Sequence, residues 1–249
     1  MKGLEIPPRS RCDPVTQAFH PKTGYNPAMQ DLTLIQLLAV AILPLLFAIT
    51  VHEVAHGWVA LRLGDPTAQM MGRLTLNPIR HIDPVGTVLL PLALILLSKM
   101  AGSPPFIFGW AKPVPVTWEN LRNPKRDMAL VALAGPLSNL LMAILWALVA
   151  KIGYLMGGGP IGVPLILMGS FGILFNLVLM VLNMVPVPPL DGSRVLSALL
   201  PGPWAWQLSR LEPYGFLIIL VLLVTGVLWS ILGPIIDWFY IMLHVLFGL

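Results

Sequence analysis

Charge is scarce in this chain of 249 residues. Asp, Glu, Lys and Arg make up 10% of it, against roughly 25% in soluble domains. Hydrophobic residues reach 57%, above the usual 45–50% or so, and the mean hydropathy is +0.83. A soluble globular enzyme and a disordered protein are both excluded. The net charge is +4, but no basic run reaches five or six residues, so nucleic acid is not an implied partner. Cysteine is nearly absent. The single Cys12 excludes an intrachain disulfide, a cysteine zinc site and a CxxC redox pair. A secretory signal is not expected either, because the first apolar run begins only at Leu32. Internal repeats and low-complexity linkers are missing, which points to one domain in a polytopic membrane protein.

The apolar runs then set the organisation. Residues 1–31 read as a polar, proline-dotted tail. Leu32 to Val51 is 20 residues without charge, the length of a membrane-spanning helix. Its apolar character continues past Glu53 to about Leu63, where Gly64-Asp65-Pro66 stops it. Thr67–Leu76 alternates around Gly72 and is expected to form one or two short strands. Pro84–Ser98 is apolar but only 15 residues long and is interrupted by Pro91. With Ala101–Val116 as its return limb it reads as a re-entrant or hairpin segment. Met128–Ala150 gives 23 uncharged residues and Ile152–Leu190 gives 39, broken at Gly157–Pro160. The usable helix of the second runs from Val163 to Val185, ended by Pro186, Pro188 and Pro189. Pro213–Ile236 is a further uncharged stretch of 24, and a last helix is expected to begin near Pro234. The chain thus divides into a tail (1–31), a membrane core (32–200) and C-terminal transmembrane helices (201–249).

Eight of the 15 basic residues lie between the first helix and Met128. The positive-inside rule places that region in the cytoplasm. Both of its ends share that side only if 84–116 crosses an even number of times or not at all. The first helix then runs out-to-in, the Met128 helix in-to-out and the Val163 helix out-to-in. The four basic residues of the tail fall outside in this scheme and count against it.

Chemistry concentrates at His52-Glu53-Val54-Ala55-His56, an HExxH inside the first apolar helix. A four-residue spacing sets the two imidazoles about 6 Å apart along one helix face. Two such imidazoles bind one zinc, with the intervening glutamate beside it as general base. An ionised residue in mid-bilayer costs about 2.5–3.5 kcal/mol on insertion scales, so Glu53 needs a reason to be there. Hydrolytic zinc takes three protein ligands plus water. Among His81, Asp83, Glu212, Asp237, His244 and Asp191, the last fits best. It follows the 39-residue uncharged stretch, prolines break the helix before it, and Gly192 permits close backbone approach. A dication with two neutral histidines, Asp191 and Glu53 sums to zero charge, far cheaper in a low-dielectric site than isolated carboxylates. His81 and Asp83 read first as a loop turn before Pro84 and second as supporting partners of a ligand.

These stretches resemble a known family. His52–Gly57, Gly135-Pro136-Leu137-Ser138-Asn139 and Asn183–Gly192 are similar to the site-2 protease family of intramembrane zinc metalloproteases. Gly64-Asp65-Pro66, Gly72–Pro78 with His81–Pro84, and Phe108–Pro113 match its compact bacterial branch. The match spans roughly residues 32–200, with room for neither a PDZ domain nor a CBS pair. The resemblance implies an all-α fold with a three-helix catalytic core in the bacterial cytoplasmic membrane, the site toward the cytoplasm. It implies one Zn2+ on His52, His56 and Asp191, Glu53 as the activating base, and a transmembrane protein segment as substrate. It also suggests that Asn139, and with less support Asn183, contacts substrate or oxyanion; the alternative for each is an interhelical hydrogen bond or a cap. A strand edge at Thr67–Leu76 is expected to pair with unwound substrate. Two rival readings stand beside the protease. A metal transporter needs a second intramembrane binding station, and Glu53 and Asp191 are already used. An inactive zinc-binding scaffold has no need of an intact Glu53.

Overall fold

Thr33 opens the first long helix. Its hydroxyl accepts from the Gln36 N–H and the Gln36 side chain accepts from the Thr33 N–H, a reciprocal cap. Helix α1 runs over Leu34–Arg62 and stops where Gly64 takes a φ of +114°, open to glycine and strained for other residues. The structure is a computed structural model that describes residues 33–100, 109–157 and 159–249. The expected tail (1–31) and part of the return limb (101–108) lie outside the described residues.

After α1 the chain makes a one-turn helix α2 (Thr67–Met70), a 3-10 turn (Pro78–His81) and a π-helical turn (Pro84–Leu89) that runs into α3 (Leu90–Met100). Asp83 caps the π turn, accepting from the N–H groups of Val85 and Gly86 at 2.9 and 2.7 Å. The chain returns as an extended segment. The Trp110 N–H donates to Gly86 O and the Lys112 N–H to His81 O. The 84–116 stretch therefore comes back beside its own start, as a hairpin does. Among the described residues there is no strand. The expectation for Thr67–Leu76 is corrected: Asp65 Oδ1 accepts from the Thr67 N–H, and a helical turn over Thr67–Met70 opens there instead.

Helix α4 (Pro124–Leu155) and α5 (Gly159–Asn183) follow, then α6 (Asp191–Leu199), α7 (Gly202–Ser209), α8 (Glu212–Val224) and α9 (Val227–Phe247). The uncharged stretch 213–236 is not one helix. Gly226 takes a φ of +76° and separates α8 from α9, which starts seven residues earlier than Pro234 and carries that proline inside it. Among the described residues, four helices (α1, α4, α5, α9) are long and apolar enough to cross a membrane, or five if the pair α7–α8, bent by 66°, counts as one. The protein is thus an all-α polytopic membrane protein.

The core is the packing of α5 against α4 and α1. Gly169 faces Ala150 so closely that a Cβ would stand 2.6 Å away, and Gly172 faces the ring of Trp146. Small residues let the two backbones approach, which is how helices pack where lipid removes the hydrophobic drive. Ala143, Ala147, Ile173 and Leu177 are fully buried between them. Leu137 and Leu141, on the other face of α4, stay exposed and suit lipid. At one end, Asp65 ties the exit of α1 to the return of the hairpin. It is buried and accepts from both the N–H and the hydroxyl of Thr67, from the Thr117 N–H and from the Asn120 amide.

Candidate metal centre

His52 and His56 lie on one face of α1, ten and six residues before its last residue Arg62, so His52 is about 15 Å from that end. The face is covered by α4. Gly135 of α4 has no side chain where the rings sit: a Cβ would stand 2.5 Å from Cε1 of both histidines. Pro136 follows and brings no N–H to the helix ladder. The Val131 carbonyl, one turn earlier, receives the His56 Nδ1–H at 2.7 Å. His52 Nδ1 faces Asn139 Oδ1 at 2.6 Å. Both partners are oxygens that accept, so both Nδ1 atoms carry a proton and both rings turn Nε2 inward.

Those two Nε2 atoms are 3.0 Å apart. Asp191, the first residue of α6, sets its Oδ2 3.3 Å from each. The chain reaches this place because α5 ends at Asn183 and turns at Val185–Val187 and Val187–Leu190 fold it back. Gly192 then lies against the Met184 and Val185 carbonyls, where a Cβ has no room. Three ligand atoms converge there, and Asp191 Oδ2 is buried without a hydrogen bond. A bound divalent cation would satisfy all three. Ligands at about 2.0–2.1 Å from a tetrahedral zinc stand about 3.3 Å from one another, which is the triangle found.

Glu53 is half-buried beside the pair. Its Oε2 accepts from the Val114 N–H at 2.7 Å, and its other oxygen has no hydrogen bond from the described residues. Arg73 holds this extended segment in place through the Lys112 carbonyl at 2.8 Å.

The structure thus brings His52, His56 and Asp191 together. Of the other third-ligand candidates, none joins the cluster. His81 is buried with Nε2 on the Thr75 carbonyl, and Asp83 is the helix cap already described. Asn139 is buried and meets the outer nitrogen of His52. Its Nδ2 donates to Ala48 O and to Asn176 Oδ1, so the interhelical alternative fits it. Asn183 donates to the Leu179 carbonyl of its own helix at 3.0 Å and is half-buried. Sequence reasoning missed the Val114 N–H, which has no side-chain signal, and Asn176. The rule applied to Asn139, that an amide in a charge-free helix needs partners, also points to Asn176.

Known proteins resemble this chain over most of its length. "Putative zinc metalloprotease YwhC" of Bacillus subtilis (strain 168) is 38% identical over 82% of this chain and 88% of its own. "Putative zinc metalloprotease Rip2" of Mycolicibacterium smegmatis is 28% identical over 85% of this chain and 77% of its own. Its namesake in Mycobacterium tuberculosis (strain H37Rv) is 27% identical over 89% and 78%. No protein-family model and no solved structure matches.

Proposed function

Because the chain belongs to the site-2 protease family of zinc metalloproteases, we propose that it is an intramembrane zinc endopeptidase. It hydrolyses peptide bonds of transmembrane or membrane-proximal protein segments. The observation that carries this reading is the convergence of His52 Nε2, His56 Nε2 and Asp191 Oδ2, with Glu53 alongside. Zinc held there supplies Lewis acidity, which polarises a carbonyl and makes water acidic near neutral pH.

The chain's own residues do the rest. The Val114 N–H fixes Oε2 of Glu53 and leaves Oε1 to take a proton from the attacking water. As the water oxygen bonds to the scissile carbon, the C–N bond breaks, and Oε1 returns the proton to the leaving nitrogen. Asn139 is turned away from this reaction and serves His52. A helical substrate hides its carbonyls in its own hydrogen bonds, so it must unwind locally before it is cut. The substrate thus enters from the bilayer, and the site opens to water on the side where α1 ends.

The test uses purified full-length protein in mild detergent and reconstituted in vesicles with candidate single-span membrane proteins. Wild type and Glu53→Gln should each hold about one zinc, read by mass spectrometry. Glu53→Gln should lose cleavage by roughly 10²–10⁴-fold. His56→Ala and Asp191→Ala should lose zinc as well. A folded wild type that takes up no zinc, or a Glu53→Gln protein that still cleaves, overturns the reading.

A further inference from the structure

Two amides stand in line behind His52, in the uncharged middle stretches of α4 and α5. Asn139 of α4 and Asn176 of α5 are both fully buried. The order of the hydrogen bonds has a direction. His52 Nδ1–H donates to Asn139 Oδ1 at 2.6 Å. Asn139 Nδ2 donates to Asn176 Oδ1 at 2.9 Å and to the Ala48 carbonyl at 3.1 Å. Asn176 Nδ2 donates to the Gly172 carbonyl at 2.8 Å.

Each amide fixes the orientation of the one before it. Gly172 O only accepts, so the Asn176 amide must point its nitrogen there and its oxygen toward Asn139. Asn139 then faces two acceptors, Ala48 O and Asn176 Oδ1, and must give both of them its nitrogen. A flipped Asn139 would set three oxygens against one another, at a cost of about 1–3 kcal/mol for each buried polar group left unpaired. Its oxygen is therefore locked toward His52. That oxygen keeps the proton on Nδ1 and the lone pair on Nε2, the atom that faces Asp191 and His56.

We propose that Asn176, acting through Asn139, is a positioning residue that holds His52 in its metal-binding tautomer. Asn176 touches neither the imidazole nor the cluster, and its effect passes through one amide. The inference rests on the reading of His52 as a zinc ligand. Metal-ligating histidines owe their orientation to the group on their other nitrogen, and losing that group typically costs 10–100-fold in metal affinity. Here the group on the other nitrogen is itself aligned from a third helix.

The experiment compares wild type, Asn176→Leu, Asn176→Asp, Asn139→Ala and the Asn139→Ala/Asn176→Leu pair. All are full-length and in detergent, with thermal melting to confirm folding. Zinc affinity is read by competition with a chelator. Asn176→Leu should weaken zinc about 10–100-fold. Asn176→Asp, which still offers Asn139 an oxygen, should stay close to wild type. In the Asn139→Ala background the Leu change should add nothing. Nitrogen NMR of histidine-labelled protein without zinc reads the tautomer directly. His52 should carry its proton on Nδ1 in wild type and lose that single form in Asn176→Leu. Wild-type affinity in folded Asn176→Leu, equal losses in Leu and Asp variants, additive losses in the pair, or an Nε2 proton in wild type would each overturn the proposal. Failure of wild type to take up zinc would overturn the metal reading instead, and the NMR measurement would still decide the relay.

Discussion

A hydrogen in place of a side chain at Gly135 is what lets two imidazoles approach α4 closely. An added Cβ would meet Cε1 of His52 and both Cε1 and Nε2 of His56 at 2.5 Å. The rings cannot yield, because each is held at Nδ1, one by Asn139 and one by Val131. Gly135→Ala should therefore displace a ligand and weaken zinc by at least about tenfold, the scale seen when a ligand's support is lost. Gly233, inside α9 with nothing within 4 Å, is the control. Gly233→Ala should keep zinc and hold or raise the melting temperature, since Gly in a helix interior costs roughly 0.5–1 kcal/mol relative to Ala. A chelator competition and a melting curve on both proteins check this. Much of this centre was legible in the sequence, because HExxH has a fixed helical geometry and Asp191 is an acid placed after a long uncharged run. Gly135 stood in a recognised motif but without a role, since a missing side chain declares what it accommodates only once its neighbours are in place. Val114 was hidden for a similar reason: it acts through its backbone.

Several of the polar contacts that join one element to another run through Asp65. It links the end of α1 to Thr117 and Asn120 at the foot of the hairpin, and that same return segment delivers Val114 to Glu53. Burial alone would raise the Asp65 carboxyl, but hydrogen bonds from Thr67, Asn120 and Thr117 outweigh it and hold it below its ordinary value. A folded-state value lowered in this way adds stability above the unfolded pKa of about 3.9, and that stability is lost as pH falls through the lower folded value. Asp65→Asn puts an amide N–H₂ against N–H donors and should destabilise the fold by about 1–3 kcal/mol at neutral pH. Melting curves of the two proteins should differ most at neutral pH and converge as pH falls below about 4. Curves that stay equally far apart would mean that Asp65 acts through shape and not charge. The elements themselves were largely visible beforehand, because uncharged run length fixes membrane helices. Two were misread for definite reasons. The alternation in Thr67–Leu76 imitates a strand, but Asp65 accepts from both the N–H and the hydroxyl of Thr67 and starts a helical turn. The break at Gly226 carries no charge, so hydropathy passes over a residue whose left-handed backbone divides two helices.

On the scale of the whole molecule, the helix ends decide which face the site opens to. Arg62, Arg73, Arg80, Lys112, Arg122, Lys125 and Arg126 gather where α1 ends, the hairpin starts and returns, and α4 begins. At the far end of α4, about 39 Å away by helical rise, Lys151 bonds the Gly248 carbonyl. We propose, from the positive-inside rule, that the first end faces the cytoplasm. Because of the Lys151–Gly248 contact, α9 finishes on the opposite side. Its 21 residues span about 31 Å, one crossing, so on this proposal it begins on the cytoplasmic side. α5 also ends there, beside Asp191. The bent pair α7–α8 between them therefore returns to the face it left, lying against the loop before Asp191, where Gly215 touches Pro188. With Cys12, the chain's single cysteine, replaced by serine, new cysteines at three exposed positions distinguish the possibilities. A membrane-impermeant thiol reagent applied to intact cells should label Met156→Cys and spare Arg122→Cys and Thr225→Cys until the membrane is opened. Labelling of Thr225→Cys from outside would make α7–α8 a true span and require α9 to be re-entrant. Labelling of Arg122→Cys from outside, with Met156→Cys spared, would invert the molecule and turn the mouth of the metal centre away from the cytoplasm.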